Sequence, residues 1–242
     1  MVQIALISDI HANLPALEVV LKDIESRGIQ ERYCLGDLVD FAPWGNAVID
    51  RLQQENIPCI LGNHDERIGR NLPIIPLQKH NATETAARIQ AINYSKDTIS
   101  EAHKTYLANL PFERRLQYTV GKRVWTIVLV HATVESNDAY LYPTEGDAVF
   151  EKQLNMADAD VLAIGHTHLS FVKQIGHRWV VNGGSVGRSR EDNRLASYVI
   201  LHLHEQRIDA HIVQLDYPIA EVADAIRASP IPDFYADFLI QK

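Results

Sequence analysis

Residues 60–65 read Ile-Leu-Gly-Asn-His-Asp, so an apolar run stops at a glycine and three side chains able to bind a metal ion follow at once. Four other apolar runs end in short polar motifs of the same kind. These motifs are Asp9-Ile10-His11, Gly36-Asp37, His131 and Gly165-His166-Thr167-His168. Each motif alone has an ordinary structural explanation, such as a turn or a buried histidine. All five arising together by chance is very improbable, and together they predict one functional site.

The runs before these motifs have the pattern of β-strands that alternate with helices. Residues 2–8 predict a first strand, and Pro15 followed by apolar residues at helical spacing predicts a helix that ends near Gly28. Further strands are predicted over residues 32–35, 58–61, 124–130 and 161–164. Because the carboxyl ends of parallel strands meet at one edge of a sheet, we expect the motifs to converge there.

Two helical segments are predicted outside this framework, within a single domain of residues 1–242. Asn81 and Glu84 fit a capping box in a helical insert from residue 74 to about 110. A helical tail begins at about residue 218 and carries an apolar stripe that includes Phe234. Each segment is expected either to line a cleft or to form a contact in a homodimer.

The second half of the chain adds one more helix and a group of closely spaced apolar runs. Thr144 and Asp147 predict the cap of a helix that precedes the strand at 161–164. Four later runs predict an antiparallel meander. They span residues 171–175, 179–181, 197–203 and 207–214.

The composition is that of a globular protein, with 46% hydrophobic and 22% charged residues in a chain of 242. No apolar run approaches the roughly 18 residues of a membrane span, and no signal peptide is evident, so we expect a cytoplasmic protein without membrane contact. Cys34 and Cys59 each lie in an apolar stretch, as buried thiols do. The net charge of -8 argues against stable nucleic-acid binding.

The donor atoms in the motifs are oxygen and nitrogen, without any cysteine thiolate. This mixture suits borderline or hard divalent cations better than a structural zinc site. The seven candidate metal ligands are Asp9, His11, Asp37, Asn63, His131, His166 and His168. Seven side chains are too many for one tetrahedral site. A carboxylate shared between two ions would give each ion four ligands and leave positions open for water and phosphate.

The ordered motifs resemble those of the calcineurin-like metallophosphoesterase superfamily, and particularly its YfcE-like prokaryotic phosphodiesterase branch, from Asp9 to about Ala196. The resemblance implies an α/β (α+β) fold: a four-layer αββα sandwich with two mixed β-sheets flanked by helices. It also implies two divalent transition-metal ions, with Mn²⁺ expected first and Fe, Zn, Ni or Mg as alternatives. One ion would bind Asp9, His11, Asp37 and His168, and the other Asp37, Asn63, His131 and His166.

The mechanism implied by the resemblance is in-line attack on phosphorus by a hydroxide that bridges the two metals. His64 would protonate the leaving alkoxide or stabilise its charge. Asp65 would orient His64, or would serve only to stabilise the turn through an Asx hydrogen bond. Both are therefore candidate catalytic residues.

Two further residues are candidate substrate contacts. Arg188 follows the glycine-rich run of residues 182–187, where exposed backbone and a planar guanidinium could bind phosphate; the alternative is a hairpin arginine in solvent. In YfcE-like proteins this loop usually reads Asn-Pro-Gly-Ser, and Gly183 departs from that pattern. Asn13 is a second candidate contact, or the cap of the helix that follows it.

Differences from related families narrow the range of expected substrates. Protein Ser/Thr phosphatases and symmetrical diadenosine tetraphosphatases carry Gly-Asp-x-x-Asp-Arg-Gly and Gly-Asn-His-Glu. Here Phe41 stands in place of the arginine after Asp40, and Asp65 stands in place of the glutamate after His64. We therefore expect a phosphodiesterase for nucleotide-like phosphodiesters or dinucleoside polyphosphates. A phosphomonoesterase is the alternative.

A non-catalytic interaction module on the same fold is an alternative from another class. The superfamily contains a retromer subunit in which the catalytic histidine is lost, but here His64 and all seven candidate ligands are present. A DNA nuclease would be expected to carry additional basic segments. A small phosphate ester is therefore the expected binding partner.

Overall fold

The computed structural model describes residues 1–77 and 81–241, so residues 78–80 of the predicted helical insert lie outside the described residues. Nine strands and eight helices occur in the described part. The strands are β1 (Val2–Ile7), β2 (Glu31–Cys34), β3 (Glu113–Val120), β4 (Arg123–Val130), β5 (Val161–Ile164), β6 (Ser170–Ile175), β7 (Arg178–Gly183), β8 (Ala196–Leu203) and β9 (Ile208–Leu215). The helices are α1 (Leu14–Ser26), α2 (Gly45–Gln54), α3 (Asn63–Gly69), α4 (Ala82–Thr98), α5 (Glu101–Ala108), α6 (Asp147–Ala157), α7 (Ile219–Arg227) and α8 (Asp233–Ile240).

The strands form two mixed sheets. The four-stranded sheet has the order β2-β1-β8-β9, in which β1 and β2 are parallel and the other pairs are antiparallel. The five-stranded sheet has the order β3-β4-β5-β7-β6, with β4, β5 and β7 parallel and an antiparallel strand at each edge. The parallel strands β1 and β2 therefore form one side of the four-stranded sheet, with β2 at its edge, whereas β4 and β5 lie in the interior of the five-stranded sheet.

Alternation of side chains along the strands produces three apolar layers. Ile4 and Leu6 of β1 pack with Leu129 of β4 in a cluster between the two sheets. Ala5 and Ile7 point to the opposite face of β1 and join a cluster formed mainly with helices. A third cluster lies between the outer face of the five-stranded sheet and α6. The predicted four-layer αββα sandwich is confirmed.

The predicted meander is wrong in its connectivity. β6 and β7 form a hairpin in the five-stranded sheet, whereas β8 and β9 form a hairpin in the other sheet. Apolar alternation indicates that each run is a strand, but it carries no information on which sheet the strand joins. The turn between β7 and β8 thus carries the chain from one sheet to the other.

Two local predictions also differ from the structure, and one strand was not predicted. The strand expected at residues 58–61 is reduced to one parallel bridge between Cys34 and Cys59, and the amide of Leu61 donates to the carbonyl of Pro111 instead. The strand β3 was not predicted, because its exposed face is polar and only its other face packs on the core. Helix α6 begins at Asp147, after Gly146 rather than Thr144.

The capping box predicted in the insert is confirmed. The amide of Glu84 donates to Asn81 Oδ1 at 2.9 Å, and the amide of Asn81 donates to Glu84 Oε2 at 2.9 Å. These two hydrogen bonds satisfy amide groups at the start of α4 that the helix itself leaves unpaired. Among the described residues, no helix is both long enough and apolar enough to cross a lipid bilayer.

A substitution at Phe150 tests how α6 packs on the outer face of the five-stranded sheet. Its side chain is completely buried, whereas that of the adjacent Val149 is 40% exposed. We expect Phe150→Ala to lower the free energy of unfolding by about 3–5 kcal/mol because it removes buried contacts and leaves a cavity. Val149→Ala should change it by roughly 0.5 kcal/mol or less. Urea denaturation measures both values, and equal effects of the two substitutions would contradict the assignment of this face.

Candidate metal centre and active site

The candidate ligands meet because the strand ends are linked by backbone hydrogen bonds. The amides of Asp9 and His11 donate to the carbonyls of Gly36 and Asp37, each at 3.0 Å. The amide of Gly165 donates to the carbonyl of His131 at 2.8 Å. The loops after β1 and β2 are thus held together, and so are the ends of β4 and β5. The fifth motif starts at Asn63, the first residue of α3.

Five of the candidate ligands have left-handed backbone conformations. The φ angles are 54° at Asp9, 50° at His11, 55° at Asp37, 66° at His166 and 59° at His168. This region is unfavourable for residues other than glycine, and such strain clusters at functional sites where the surrounding fold compensates for it. The loops are held by the two packed sheets in a conformation that aims these side chains at one another.

Glycines within the motifs permit this close approach. A Cβ atom at Gly62 would lie 2.2 Å from both the amide nitrogen and Oδ1 of Asp37. A Cβ atom at Gly165 would lie 2.0 Å from Ser8 Oγ and 2.6 Å from Asp9 Oδ2. The glycines that precede Asn63 and His166 are therefore required by the packing of neighbouring loops.

The first donor group consists of Asp9, His11, Asp37 and His168, whose potential ligand atoms all lie within 4.8 Å of one another. His168 Nε2 lies 3.2 Å from Asp9 Oδ1 and 3.0 Å from His11 Nε2. His11 Nε2 lies 3.8 Å from Asp37 Oδ2. All four residues are buried.

The second donor group consists of Asp37, Asn63, His131 and His166. His131 Nε2 lies 3.3 Å from Asp37 Oδ2 and 3.1 Å from Asn63 Oδ1. His166 Nδ1 lies 3.0 Å from the same Asn63 oxygen. Asp37 therefore belongs to both groups, and the structure brings all seven candidate ligands together.

Backbone carbonyls orient three of the imidazoles. The Nδ1–H groups of His11, His131 and His168 donate to the carbonyls of Val39, Leu35 and Arg188, respectively. This arrangement directs the three Nε2 atoms at the site, as metal-binding histidines require.

Several electron-donating atoms at the site have no hydrogen-bond donor or cation beside them among the described residues. The Nε2 lone pairs of His11 and His168 face each other at 3.0 Å, which is unfavourable without a cation between them. Asp9 Oδ1 and His166 Nε2 are buried without a hydrogen-bond partner among the described residues. Since buried polar atoms are rarely left unpaired, the donor set fits bound divalent metal.

The protonation states also suit metal binding. Burial lowers the pKa of His11, and burial together with the neighbouring His131 lowers the pKa of His166 to about 3, so both are neutral at pH 7. Burial alone would raise the pKa of Asp9 and of Asp37, but the surrounding imidazoles hold both below the ordinary value. These carboxylates are therefore ionised.

His131 behaves differently because of its contact with Asp37. Burial opposes its protonation, but the Asp37 carboxylate raises the pKa of His131 to about 10. A positive charge is thus strongly stabilised between these two side chains. Metal binding at this position has to displace a proton, and it is therefore coupled to pH.

His64 lies at the opening of the site and is oriented by Asp40. Its Nδ1–H donates to Asp40 Oδ2 at 2.5 Å, and its side chain lines the cleft above the ligands. Asp40 was not among the candidate residues, although the second aspartate of the Gly-Asp-x-x-Asp spacing was a usable signal. Among the described residues His64 Nε2 forms no hydrogen bond, so it is available to a substrate.

Asp65 does not orient His64 and has a different role in the structure. Its carboxylate accepts from the amides of Asp37 and Leu38, each at 2.8 Å, and from the amide of Gly62 at 3.1 Å. It makes no hydrogen bond to the His64 ring. Asp65 thus holds the loop that carries Asp37, which agrees with the turn-stabilising alternative.

Arg188 is enclosed by aromatic rings rather than placed in solvent. Its guanidinium carbon lies 4.5 Å from the ring centre of Phe41, 5.5 Å from that of Tyr235 and 4.4 Å from that of Phe238. Burial lowers the pKa of Arg188 to about 10, so it remains charged at pH 7. Its Nε has no hydrogen-bond partner among the described residues. A charged donor in this setting is suited to a phosphate.

Asn13 lies beneath the Arg188 loop and outside the cleft. Its Oδ1 accepts from the amide of Ala16 at 3.2 Å, which caps α1, and its Nδ2 donates to the carbonyl of Gly187 at 2.9 Å. Both polar atoms of the side-chain amide are therefore engaged, and Asn13 acts as the helix cap. Its contribution to a phosphate site is the support of the loop that carries Arg188.

The site opens into a cleft of about 740 Å³. One wall comes from α3, the residues before α4 and α4 itself, and another comes from α8. The lining includes Asn63, His64, His166, His168, Arg67, Arg88, Arg188, Arg190, Leu72, Ile75, Phe234 and Phe238. The helical insert and the C-terminal tail both line this cleft, which the sequence left undetermined.

Residues 2–206 match the family described as the calcineurin-like phosphoesterase superfamily domain. The chain belongs to this superfamily. A metallophosphoesterase of Sphaerobacter thermophilus superposes with a TM-score of 0.75 at 25% identity, covering 99% of this chain and 98% of the other. This calcineurin-like phosphoesterase is therefore a metal-dependent phosphoric ester hydrolase, and its buried Asp and His cluster is suited to bind divalent metal.

Two archaeal proteins are similar over nearly the whole of this phosphoesterase. An uncharacterized protein of Methanocaldococcus jannaschii is 29% identical over 255 residues, which cover 98% of this chain and 96% of that protein. A hypothetical protein of Pyrococcus horikoshii shares the fold with a TM-score of 0.83 at 20% identity, covering 99% of this chain and 98% of the other. The similarity therefore includes the insert and the tail as well as the sandwich.

A substitution at Gly165 tests the packing around the candidate metal ligands of this phosphoesterase. We expect Gly165→Ala to displace Ser8 and Asp9 and to weaken Mn²⁺ binding roughly 10- to 100-fold, as loss of supporting contacts at metal sites does. Gly146→Ala is the matched control, because a Cβ there would meet no atom within 4 Å. Calorimetric titration of the metal-stripped proteins measures both affinities. Unchanged binding by Gly165→Ala would contradict this account of the loops.

Proposed function

We propose that this protein is a dinuclear metal-dependent phosphodiesterase that hydrolyses nucleotide-like phosphodiesters or dinucleoside polyphosphates. The observation that carries the proposal is the position of Asp37. Its carboxylate faces both donor groups, at the floor of a cleft that also contains His64 and Arg188. This is the arrangement expected of a carboxylate shared by two cations.

The donor set supports a choice of metal class. Carboxylate, amide and imidazole ligands without thiolate are suited to Mn²⁺, and also to Fe, Zn, Ni or Mg. When bound, two such cations would activate water as a nucleophile and neutralise charge on the phosphoryl group. We propose Mn²⁺ as the first metal to test.

His64 is suited to donate a proton to the leaving oxygen. Asp40 accepts from Nδ1 and so fixes the ring with Nε2 free of partners among the described residues, which lets an Nε2–H group donate toward the cleft. Arg188 would bind a non-bridging phosphoryl oxygen, and the rings of Phe41 and Phe238 hold its guanidinium in place. Burial of this arginine strengthens its interaction with an anion because the local dielectric is low.

The size of the cleft favours a diester over a monoester. A volume of about 740 Å³ exceeds what a phosphate group needs, and apolar side chains such as Leu72, Ile75 and Phe234 line it beside the charged ones. Such walls can accommodate substituents on both sides of the attacked phosphorus. The part of the cleft next to His64 would receive the leaving group.

We expect His64→Ala to lower kcat for bis-p-nitrophenyl phosphate by roughly 10²- to 10³-fold, since the charge that develops on the leaving oxygen would no longer be stabilised. The enzyme is stripped of metal and reloaded with Mn²⁺, and p-nitrophenyl phosphate is assayed in parallel. His177→Ala, an exposed histidine in the turn between β6 and β7, is the matched control. Faster turnover of the monoester than of the diester would favour a phosphomonoesterase instead.

The number of bound metals tests the shared carboxylate. We expect two equivalents of Mn²⁺ for the unchanged protein and for His177→Ala, one for His168→Ala, and none at comparable affinity for Asp37→Ala. Equilibrium dialysis with elemental analysis measures these values, and circular dichroism verifies folding. A single equivalent in the unchanged protein, or loss of only one in Asp37→Ala, would contradict a dinuclear centre.

A further inference from the structure

The cleft contains four arginines, at positions 67, 88, 188 and 190. Among the described residues, none of the four forms an ion pair with a carboxylate. Several arginines elsewhere do so: Arg27 pairs with Asp23 at 2.7 Å, and Arg123 pairs with Asp160 at 2.7 Å. A concentration of unpaired positive charge in a chain with a net charge of -8 points to an anionic ligand.

Arg67 lies on α3 one turn after His64. Its Nη1 is 3.3 Å from His64 Nδ1, but that nitrogen already donates its proton to Asp40 and cannot accept another from Arg67 at the same time. The guanidinium is therefore held beside the proposed proton donor without an acceptor of its own among the described residues. It is half-buried in the cleft wall.

Arg88 approaches the same region from α4. It is only 7% exposed, and its Nη1 donates to the carbonyl of Ile75 at 3.1 Å. Burial and the nearby charge of Arg67 lower the pKa of Arg88. Two like charges held close together in a partly buried wall are costly unless an anion offsets them.

Acidic residues of the same wall do not supply that anion. Glu66 pairs with Arg70, and Glu84 accepts from the amide of Asn81 in the capping box. The charges of Asp40 and Asp138 act on Arg88 from a distance and partly oppose the lowering of its pKa, but neither carboxylate forms an ion pair with Arg67 or Arg88 among the described residues. The charge of Arg67 and Arg88 is thus left for a ligand.

We propose that Arg67 and Arg88 form a second anion subsite, which binds a phosphate carried by the leaving group of the substrate. The inference rests on the proposed function, because His64 identifies the side on which the leaving group departs. Arg188, whose carbonyl accepts from the metal-site residue His168, is left to bind the attacked phosphate. The favoured substrates are phosphoanhydrides that join two nucleotides, rather than diesters of a simple alcohol.

The reaction is hydrolysis of the bridging P–O bond. Water contributes its oxygen and one hydrogen to the attacked phosphorus, and the bridging bond breaks with its electron pair on the leaving phosphate. The second hydrogen of water is accounted for by the proton that the leaving oxygen receives through His64. Arg67 and Arg88 would offset the negative charge on the departing phosphate, so their effect depends on a charged leaving group.

The first test measures binding to the Mn²⁺-loaded protein. The probe is the methylene-bridged analogue of a dinucleoside 5′,5′-diphosphate, which cannot be cleaved at its bridge. We expect Arg67→Gln and Arg88→Gln each to raise its Kd by about tenfold or more, as loss of a charge-assisted hydrogen bond does. Arg123→Gln removes one exposed positive charge and should leave Kd unchanged.

The second test compares hydrolysis of two substrates that share the transferred nucleotide. One is a nucleoside 5′-monophosphate p-nitrophenyl ester, and the other is the dinucleoside 5′,5′-diphosphate. We expect Arg67→Gln and Arg88→Gln to lower kcat/KM for the diphosphate about tenfold more than for the ester. If Arg88→Gln fails to fold, Arg67→Gln alone still tests the subsite.

The outcomes separate the subsite from the proposed function. Weaker analogue binding in both arginine variants, with a selective loss on the diphosphate, supports the subsite. Equal Kd values for the variants and the unchanged protein, or equal losses on both substrates, overturn it. If the unchanged protein cleaves neither substrate but the binding differences hold, the proposed function fails while the anion subsite stands.

Discussion

The site depends on one buried carboxylate, that of Asp37. Its Oδ2 lies 3.3 Å from His131 Nε2 and 3.8 Å from His11 Nε2, while its Oδ1 accepts from the amide of His64 at 2.8 Å. A carboxylate that is 1% exposed is stable only where positive or hydrogen-bonding partners replace water. Both sheets supply these partners, since His11 follows β1 and His131 follows β4. The sandwich must therefore be assembled before the site exists.

The surroundings of Asp37 show how the strained loops are kept in place. The carboxylate of Asp65 accepts hydrogen bonds from three backbone amides around Asp37. Gly62 leaves room for Asp37, because a Cβ atom at position 62 would collide with the backbone and side chain of Asp37. Gly62 and Asp65 belong to the Gly-Asn-His-Asp motif, which also contributes Asn63 and His64. One short motif thus provides a ligand, the proposed proton donor and the support of the shared carboxylate.

Local patterns predicted well those features that depend on local interactions. The capping box at Asn81 and the helix that ends near Gly28 follow from hydrogen bonds and backbone preferences within a few residues. The order of strands in the sheets depends on pairing between distant segments, so the late hairpins were assigned to one meander and β3 was missed. The same reason explains Asp40, whose contact with His64 spans 24 residues of chain and was not anticipated.

The amino-acid sequence by itself determined the set of donor atoms, their placement after apolar strands and the membership of the chain in its superfamily. The family resemblance already implied two ligand groups that share Asp37. Only the tertiary structure established that Asp40 rather than Asp65 holds His64 and that Arg188 lies among three rings. The contact between His11 and His168 joins residues 157 positions apart. Such distances are set by the packing of two sheets and their helices, because no local interaction of the chain acts over that separation.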